Sequence, residues 1–478
     1  MNDMAQSPAG LRIRTLLDAG SFVEIGAAVT ARSTDFDLVR KKMPSDGVLT
    51  GYGQINGHPV YVYSQDASVL KGTVGEMHAA KIVHLYELAM KTGDPVIGLI
   101  DCAGVRLEEG MDGLHAFGTI FRAQTNASGV IPQITAVFGT CGGGMTVSAA
   151  LSDFTFIENR SGKMFFHAPN AIPGNHEEVC DTSDAEFQYR EAGTADVIGT
   201  QTQIFAHIRR LISLLPANNE DLMGAEEVPD DLNRIQKELA QCVADPALIL
   251  PRISDDGRVF EARSGVGRDM VTALIRLNGC TVGVIANRSV LYGPDGQPAE
   301  TFGAVISAKG AEKAARFVTF CDAFSIPIVT LTNACGFETT LETERLLPSA
   351  AAKLVYAFTD ANTPKVNVIT GAAYGSAGLI MNSRSVGADI VFAWEGARIG
   401  VMEAASAARI LYPDAGPQKL NEMAGRYEEL QNSAASAAAR GYVDTVISPA
   451  ETRKYLIGAM DMLMTKRESR PLKKHGAF

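Results

Sequence analysis

Short apolar runs alternate along this chain with segments of helical period, and the alternation is written twice. The runs Val48–Ile55 and Pro59–Tyr63 flank Asn56-Gly57, a pairing that signals a β-hairpin. A helix is predicted over Gly75–Lys91, where Ile82, Leu85 and Leu88–Ala89 recur at helical spacing. It is followed by a strand at 95–101, a helix near Leu114–Ser128, a strand at Gln133–Phe138 and a helix from Gly143 to Leu151. The second half repeats the order. Strands at Val271–Leu277 and Thr281–Ala286 flank Asn278-Gly279, and a helix at Ala308–Phe324 and a strand at 327–332 come next. A helix at Ser349–Asn362, a strand at Lys365–Ile369 and a helix from Ser376 complete the series. A short helix around Leu11–Ala19 precedes the first half. The stretch Leu215–Asp256, rich in Asp, Glu, Pro and Asn, reads as a linker with one helix near Leu232–Cys242.

The two halves also match residue by residue. Pro95 through Val105 align without a gap on Pro327 through Phe337, and Gly104/Gly336, Pro132/Pro364, Gly139/Gly371 and Gly143/Gly375 are all 232 apart. A constant offset over that length indicates gene duplication. The expected organisation is two α/β domains, residues 1–245 and 246–478, with right-handed crossovers.

Composition narrows the function classes. With 43 basic against 54 acidic residues the net charge is −11, so nucleic-acid binding has no electrostatic support. Seven cysteines without a C-x-x-C pair argue against zinc and against a disulfide framework, and no metal is expected. The start Met1-Asn2-Asp3-Met4 has no basic region leading into an apolar core, and no run reaches the roughly 18–20 apolar residues of a membrane helix. A cytoplasmic location is expected, with any membrane association supplied by partner subunits.

The chemistry is carried by turns. Gly139-Thr140-Cys141-Gly142-Gly143-Gly144-Met145 joins a strand to a helix, so backbone N–H groups are open to a ligand oxygen that gains charge. The same composition also suits a tight packing turn. It is not a phosphate loop, because no Gly-Lys-Ser/Thr follows. The partner element is Cys102 through Gly110: the turn at Gly104 can supply a second donor, and Arg106 with Glu108 and Glu109 can position a ligand or form an ion-paired loop. In the second half the equivalents are Asn333 through Phe337, including Gly336, and Ala373 through Gly378, including Gly375, Ser376 and Ala377. No Ser/His/Asp order or G-x-S-x-G elbow is present, and His167 and His176 read better as structural histidines than as bases. Ala89-Met90-Lys91-Thr92 has the look of a biotin attachment sequence, but it closes a helix, so biotin, if used, arrives on another polypeptide.

Together these residues resemble the carboxyltransferase family of biotin-dependent acyl-CoA carboxylases and decarboxylases. That family includes propionyl-CoA carboxylase β, the methylmalonyl-CoA and glutaconyl-CoA decarboxylase α subunits, and transcarboxylase. The landmarks run in order through Ser45–Gly51, Ser64-Gln65-Asp66, Ser128–Ile134, Leu151–Phe156, Asn362–Val366, Ala373-Tyr374-Gly375, Gly387-Ala388-Asp389 and Val401-Met402. The resemblance implies tandem duplicated crotonase-like (ββα-spiral) domains, an acyl-CoA in the first and carboxybiotin in the second. It maps the thioester oxygen onto the N–H groups of Gly143 and Gly144 and the ureido oxygen onto those of Ser376 and Ala377, the catalytic set. Gly104, Val105, Arg106, Gly142, Gly336, Phe337 and Gly375 are then the substrate-binding set. It further implies a biotin carboxyl carrier protein, a biotin carboxylase subunit or a membrane sodium-pump decarboxylase subunit, and a dimer of trimers. Ser376 stands where many relatives carry Gly, and Cys180–Gly193 departs from the family's usual Gly-Gly-Ala…His stretch, which leaves the acyl group open. Two rivals remain at this point: a crotonase hydratase or isomerase using Glu108 or Glu109, and a non-catalytic scaffold subunit.

Overall fold

The structure is a computed structural model; it describes residues 6–32, 36, 43, 45–176, 181–221, 228, 230–471, 473 and 475–476. The expected reading of Met1–Met4, position 180 of the divergent stretch, and 222–227 and 229 of the linker lie outside the described residues. Contacts divide the chain into two compact units, residues 1–222 and 223–478. The division falls ahead of residue 245 because Leu239, Cys242, Ile249, Leu250 and Ile253 are buried in the second unit's core.

In the first unit the strands are β1 (Val23–Ile25), β2 (Val48–Ile55), β3 (His58–Gln65), β4 (Val96–Cys102), β5 (Gln133–Gly142), β6 (Phe154–Glu158), β7 (Lys163–Phe165) and β8 (Val197–Gly199). Their order is β1-β2-β3-β4-β5-β6-β8, with β7 pairing the far end of β5. The β1–β3 pairs are antiparallel and the remainder parallel. The helices are α1 (Pro8–Leu16), α2 (Glu76–Thr92), α3 (Gly110–Ala127), α4 (Gly144–Ala150), α5 (Ala185–Arg190) and α6 (Gln201–Leu214). Parallel strands are covered on both faces, which is why β4 reads as a nearly unbroken apolar run. Tyr63, Ile100 and Val137 pack beneath Ile82, Leu85, Phe117 and Ile120 of α2 and α3. On the other face Phe138 meets Phe205 of α6, ring centroids 5.2 Å apart, and carries the Arg12 guanidinium of α1 at 5.2 Å.

The second unit contains β9 (Val259–Ala262), β10 (Met270–Leu277), β11 (Cys280–Asn287), β12 (Val290–Tyr292), β13 (Pro298–Thr301), β14 (Val305–Ile306), β15 (Ile328–Ala334) and β16 (Gly336–Phe337). β17 (Lys365–Tyr374), β18 (Ile390–Trp394), β19 (Arg398–Gly400) and β20 (Thr445–Ile447) follow. Its helices are α7 (Leu250–Ile253), α8 (Ala308–Ala323), α9 (Leu341–Asp360), α10 (Gly375–Ile380), α11 (Ala404–Leu411), α12 (Pro417–Tyr427), α13 (Ala434–Ala439) and α14 (Thr452–Leu463). The large sheet runs β20-β18-β17-β15-β11-β10-β9, and β19 extends β17 as β7 extends β5. The two sheets therefore have the same topology, strand for strand.

Four elements differ from the sequence reading. The expected helix at 232–242 is a single 3-10 turn, Leu239–Cys242. α9 begins at Leu341 rather than Ser349 and runs through Pro348, because Thr340 caps it by accepting from the Thr343 N–H at 3.0 Å. β5 and β17 continue past their apolar runs to Gly142 and Tyr374, since those ends pair with β7 and β19.

Candidate active site

Each unit bends its central strands at the same place. The β4/β5 register slips between Ile100 and Cys102, and the β15/β17 register between Thr332 and Ala334. The slip lets the Asp101 side chain cross β5, where it accepts from the Thr140 N–H at 3.3 Å and pairs with Arg12 at 3.0 Å. Asn333, its counterpart, accepts from the Ala372 N–H at 3.0 Å. Only glycine fits beneath them: a Cβ on Gly139 would lie 2.1 Å from Asp101 Oδ1, and one on Gly371 2.3 Å from Asn333 Oδ1. Beyond the slip the turn at Gly104 (φ +117) lies against Gly142, with a built Cβ 3.5 Å from the Gly142 carbonyl oxygen. The structure thus brings together the two first-half turns singled out in the sequence.

It also sorts their donors. The Gly143 N–H is occupied, donating to Phe165 O at 3.0 Å, and the Gly104 N–H donates to Cys102 Sγ at 3.4 Å. Gly144, the first residue of α4, has no acceptor for its N–H inside the helix. A Cβ there would meet Phe117 at 3.1 Å, so a bare backbone is favoured. Val105 bridges Val74 in parallel, with Val74 N–H donating to Gly104 O and Arg106 N–H to Val74 O, both at 2.9 Å. In that pattern the Val105 N–H points away from the bridge. Gly143 itself, at φ 58 and ψ −124, sets the orientation of the peptide that carries the Gly144 N–H.

Arg106 is fully buried and does not reach a ligand with its side chain. It holds Asp46 at 2.6 Å, Glu109 at 2.7 Å and the Thr73 carbonyl at 2.8 Å. Glu109 also accepts from the Glu76 N–H at the start of α2, at 2.6 Å. Glu109 is therefore an anchor for two loops and not an available acid or base. His167 and His176 lie on the surface, contrary to the expectation of satisfied structural positions; the buried histidine is His78, with Nδ1 2.9 Å from Asp46 O and a pKa pushed down to about 3 by burial. The divergent stretch packs along β7: Met164 N–H donates to Ser183 O at 2.8 Å, and Asp184 caps α5. No group of three His, Cys, Asp or Glu side chains suited to a metal occurs among the described residues.

The second unit repeats the arrangement. Val305 and Ile306 pair in parallel with Gly336 and Phe337, and Glu338 N–H donates to Ile306 O at 3.1 Å, so the Phe337 N–H points away as that of Val105 does. Ser376, 232 positions after Gly144, lies in the first turn of α10, following Gly375 at φ 54. Ala377, 232 after Met145, is buried. Gly375 and Ser376 open onto a cavity of about 650 Å³ whose apolar wall includes Ile369, Leu379, Ile399 and Val401. Sequence reading missed the partners of this wall, because β18, β19 and α13 carry no motif.

The carboxyl transferase domain profile matches residues 6–478. The propionyl-CoA carboxylase beta chain of Roseobacter denitrificans is 38% identical over 97% of this chain and 92% of its own length. The methylmalonyl-CoA decarboxylase subunit alpha of Veillonella parvula is 37% identical over 97% of this chain and 91% of its own. The crystal structure of transcarboxylase 12S, described as a hexamer with hydrolysed methylmalonyl-coenzyme A bound, shares 35% identity at a TM-score of 0.91, covering 98% of this chain and 92% of that one. With its tandem crotonase-like fold, the chain belongs to the carboxyl transferase family, as a carboxyltransferase subunit of the biotin-dependent acyl-CoA carboxylase and decarboxylase class.

Proposed function

We propose that the first unit holds an acyl-CoA thioester and the second the ureido ring of biotin borne by a partner protein. The chain moves a carboxyl group between them, on a short or dicarboxylic acyl-CoA of the methylmalonyl- or glutaconyl-CoA type. One observation carries the reading: a pair of backbone N–H groups, Val105 with Gly144 and Phe337 with Ser376, recurs at a spacing of 232.

The thioester oxygen gains negative charge when the bond from the α-carbon to the departing carboxyl breaks. Donors already fixed by β4 and α4 stabilise that charge without reorganising, and each is worth about 2.7–4 kcal/mol of barrier. In this assignment Gly143 keeps the Gly144 amide aimed while its own N–H stays with Phe165, and Val105 takes the second position. Phe337 and Ser376 play the same part toward the ureido oxygen. Gly104, Gly142 and Gly375 let backbone approach backbone, Gly336 pairs with Val305, and Arg106 positions the Val105 loop. Biotin, when bound, supplies the nitrogen that takes up the carboxyl group and the proton that returns to the α-carbon. The cavity beside Ser376 fits such a bicyclic ring, being apolar along its wall and lined by backbone at its head. No side-chain base is needed, which agrees with the locked state of Glu109.

On this reading biotin comes on a carboxyl carrier protein. A biotin carboxylase subunit or a sodium-pumping membrane subunit sets the direction, and the chains assemble in the cytoplasm as a dimer of trimers. The test is to incubate the purified protein with free biotin and methylmalonyl-, glutaconyl- or malonyl-CoA. Biotin-dependent formation of the decarboxylated CoA ester is expected; no such product from any ester would count against transfer.

A further inference from the structure

The spacing of the duplication changes between each Asn-Gly turn and the long helix that follows it. The Asn-Gly turns lie 222 apart, Asn56 to Asn278, whereas α2 and α8 start 232 apart, Glu76 to Ala308. The difference is the ribbon β12–β13, in which Val290 pairs with Thr301 and Leu291 with Glu300. None of residues 290–301 is buried, so the ribbon adds nothing to the core, and the first unit closes the same sheet without one.

The ribbon is nonetheless firmly built. Gly293 N–H donates to Gln297 O at 2.8 Å, Gln297 N–H to Asp295 Oδ1 at 3.0 Å, and Glu300 pairs with Arg268. Phe302 N–H donates to Ser289 O at 2.8 Å and closes its base. Both roots are tied to the turn that carries Phe337. On one side the Asn287 side chain accepts from the Asn333 N–H at 2.7 Å; on the other Ala304 O accepts from the Cys335 N–H at 2.8 Å.

We propose that the ribbon Val290–Thr301 is the docking surface for the biotin-bearing partner protein. The inference rests on the reading of the second unit as the biotin side. There the ligand is tethered to a protein, whose surface must come to rest near Phe337 and Ser376; in the first unit the ligand is a free CoA ester. Among the described residues the first unit, whose ligand is free, has no counterpart of this ribbon. Its exposed tip, Pro294-Asp295-Gly296-Gln297, and the unpaired edges of a two-stranded ribbon offer side-chain and main-chain groups to such a partner.

Two variants test it. Deleting Leu291–Glu300 joins the cross-strand partners Val290 and Thr301 and restores the first unit's spacing. The double substitution Asp295→Lys with Gln297→Lys alters only exposed tip residues. Each is assayed with free biotin and with the biotinylated carrier protein of the same organism, and its assembly mass is read by light scattering. The expected result is a KM for the carrier raised about tenfold or more with kcat kept, while transfer to free biotin stays within about twofold. An unchanged carrier KM, or equal losses with both acceptors, overturns the proposal. A change of mass without a carrier effect also overturns it, assigning the ribbon to contacts between copies. Failure of the unmodified protein with both acceptors instead sinks the underlying biotin reading.

Discussion

Replacing Ser376 separates the backbone from the side chain. Ser376 is the second residue of α10, and the first-turn N–H groups of a helix have no intrahelical acceptor. Ser376→Pro therefore deletes a donor without breaking a helix bond, and a first-turn position tolerates the fixed φ of proline. Gly375, at φ 54, is the residue best able to precede a proline there, and the side chain at 376 is exposed. Loss of one preorganised donor costs about 2.7–4 kcal/mol, so kcat should fall about 100- to 1,000-fold. Ser376→Ala keeps the N–H and should remain within about threefold of the unmodified chain. The assay is carboxyl transfer from methylmalonyl-CoA to free biotin, with thermal unfolding run in parallel to confirm that both variants are folded. The KM for the CoA ester should stay unchanged, since that ligand belongs to the other unit. A folded Ser376→Pro with near-normal kcat would refute the backbone role, and an equal loss in Ser376→Ala would transfer it to the hydroxyl.

Other consequences follow from the same geometry. Gly143→Ala meets no steric contact, but φ 58 with ψ −124 suits glycine alone, and holding it costs about 1–3 kcal/mol; relaxation turns the Gly144 N–H away, and kcat should fall about 100-fold with little change in CoA-ester affinity. Glu109→Gln should leave transfer per folded molecule within about threefold, whereas urea unfolding should show a loss of about 1.5–3 kcal/mol as buried Arg106 gives up a charged partner. A collapse of turnover in the folded Gln variant would revive the hydratase reading. Lys81 and Lys313 donate to buried carbonyls, and burial, partly offset by Glu24 and Glu261 respectively, lowers each pKa to about 8. The unfolded chain then holds the extra protons between about 8 and the ordinary 10.5, so stability should rise with pH across that window and flatten when both lysines are replaced by Met.

The period of the apolar positions located most long strands and helices, because these are buried on regular faces. It failed where pairing, not burial, extends an element. Thr140–Gly142 prolong β5 through β7 although they are small and polar. Composition misled at 232–242, where buried Leu239 and Cys242 pack as a single turn against the second sheet. A helix start at Ser349 misses the Thr340 cap, which lies more than two turns upstream. The glycine turns were legible from their repetition, but the use of the Gly143 N–H was not, because its acceptor, Phe165, sits on a three-residue strand with no pattern of its own. Arg106 looked like a ligand contact for the opposite reason. Its partners Asp46 and Thr73 come from loops far away in sequence.

A crystal structure of the protein with a CoA ester and biotin bound tests the central claim most directly. The thioester oxygen should lie within about 2.7–3.1 Å of the Val105 and Gly144 nitrogens, and the ureido oxygen at the same distance from those of Phe337 and Ser376. Both oxygens held by side chains, or the CoA ester seated at the second unit's turn, would contradict it.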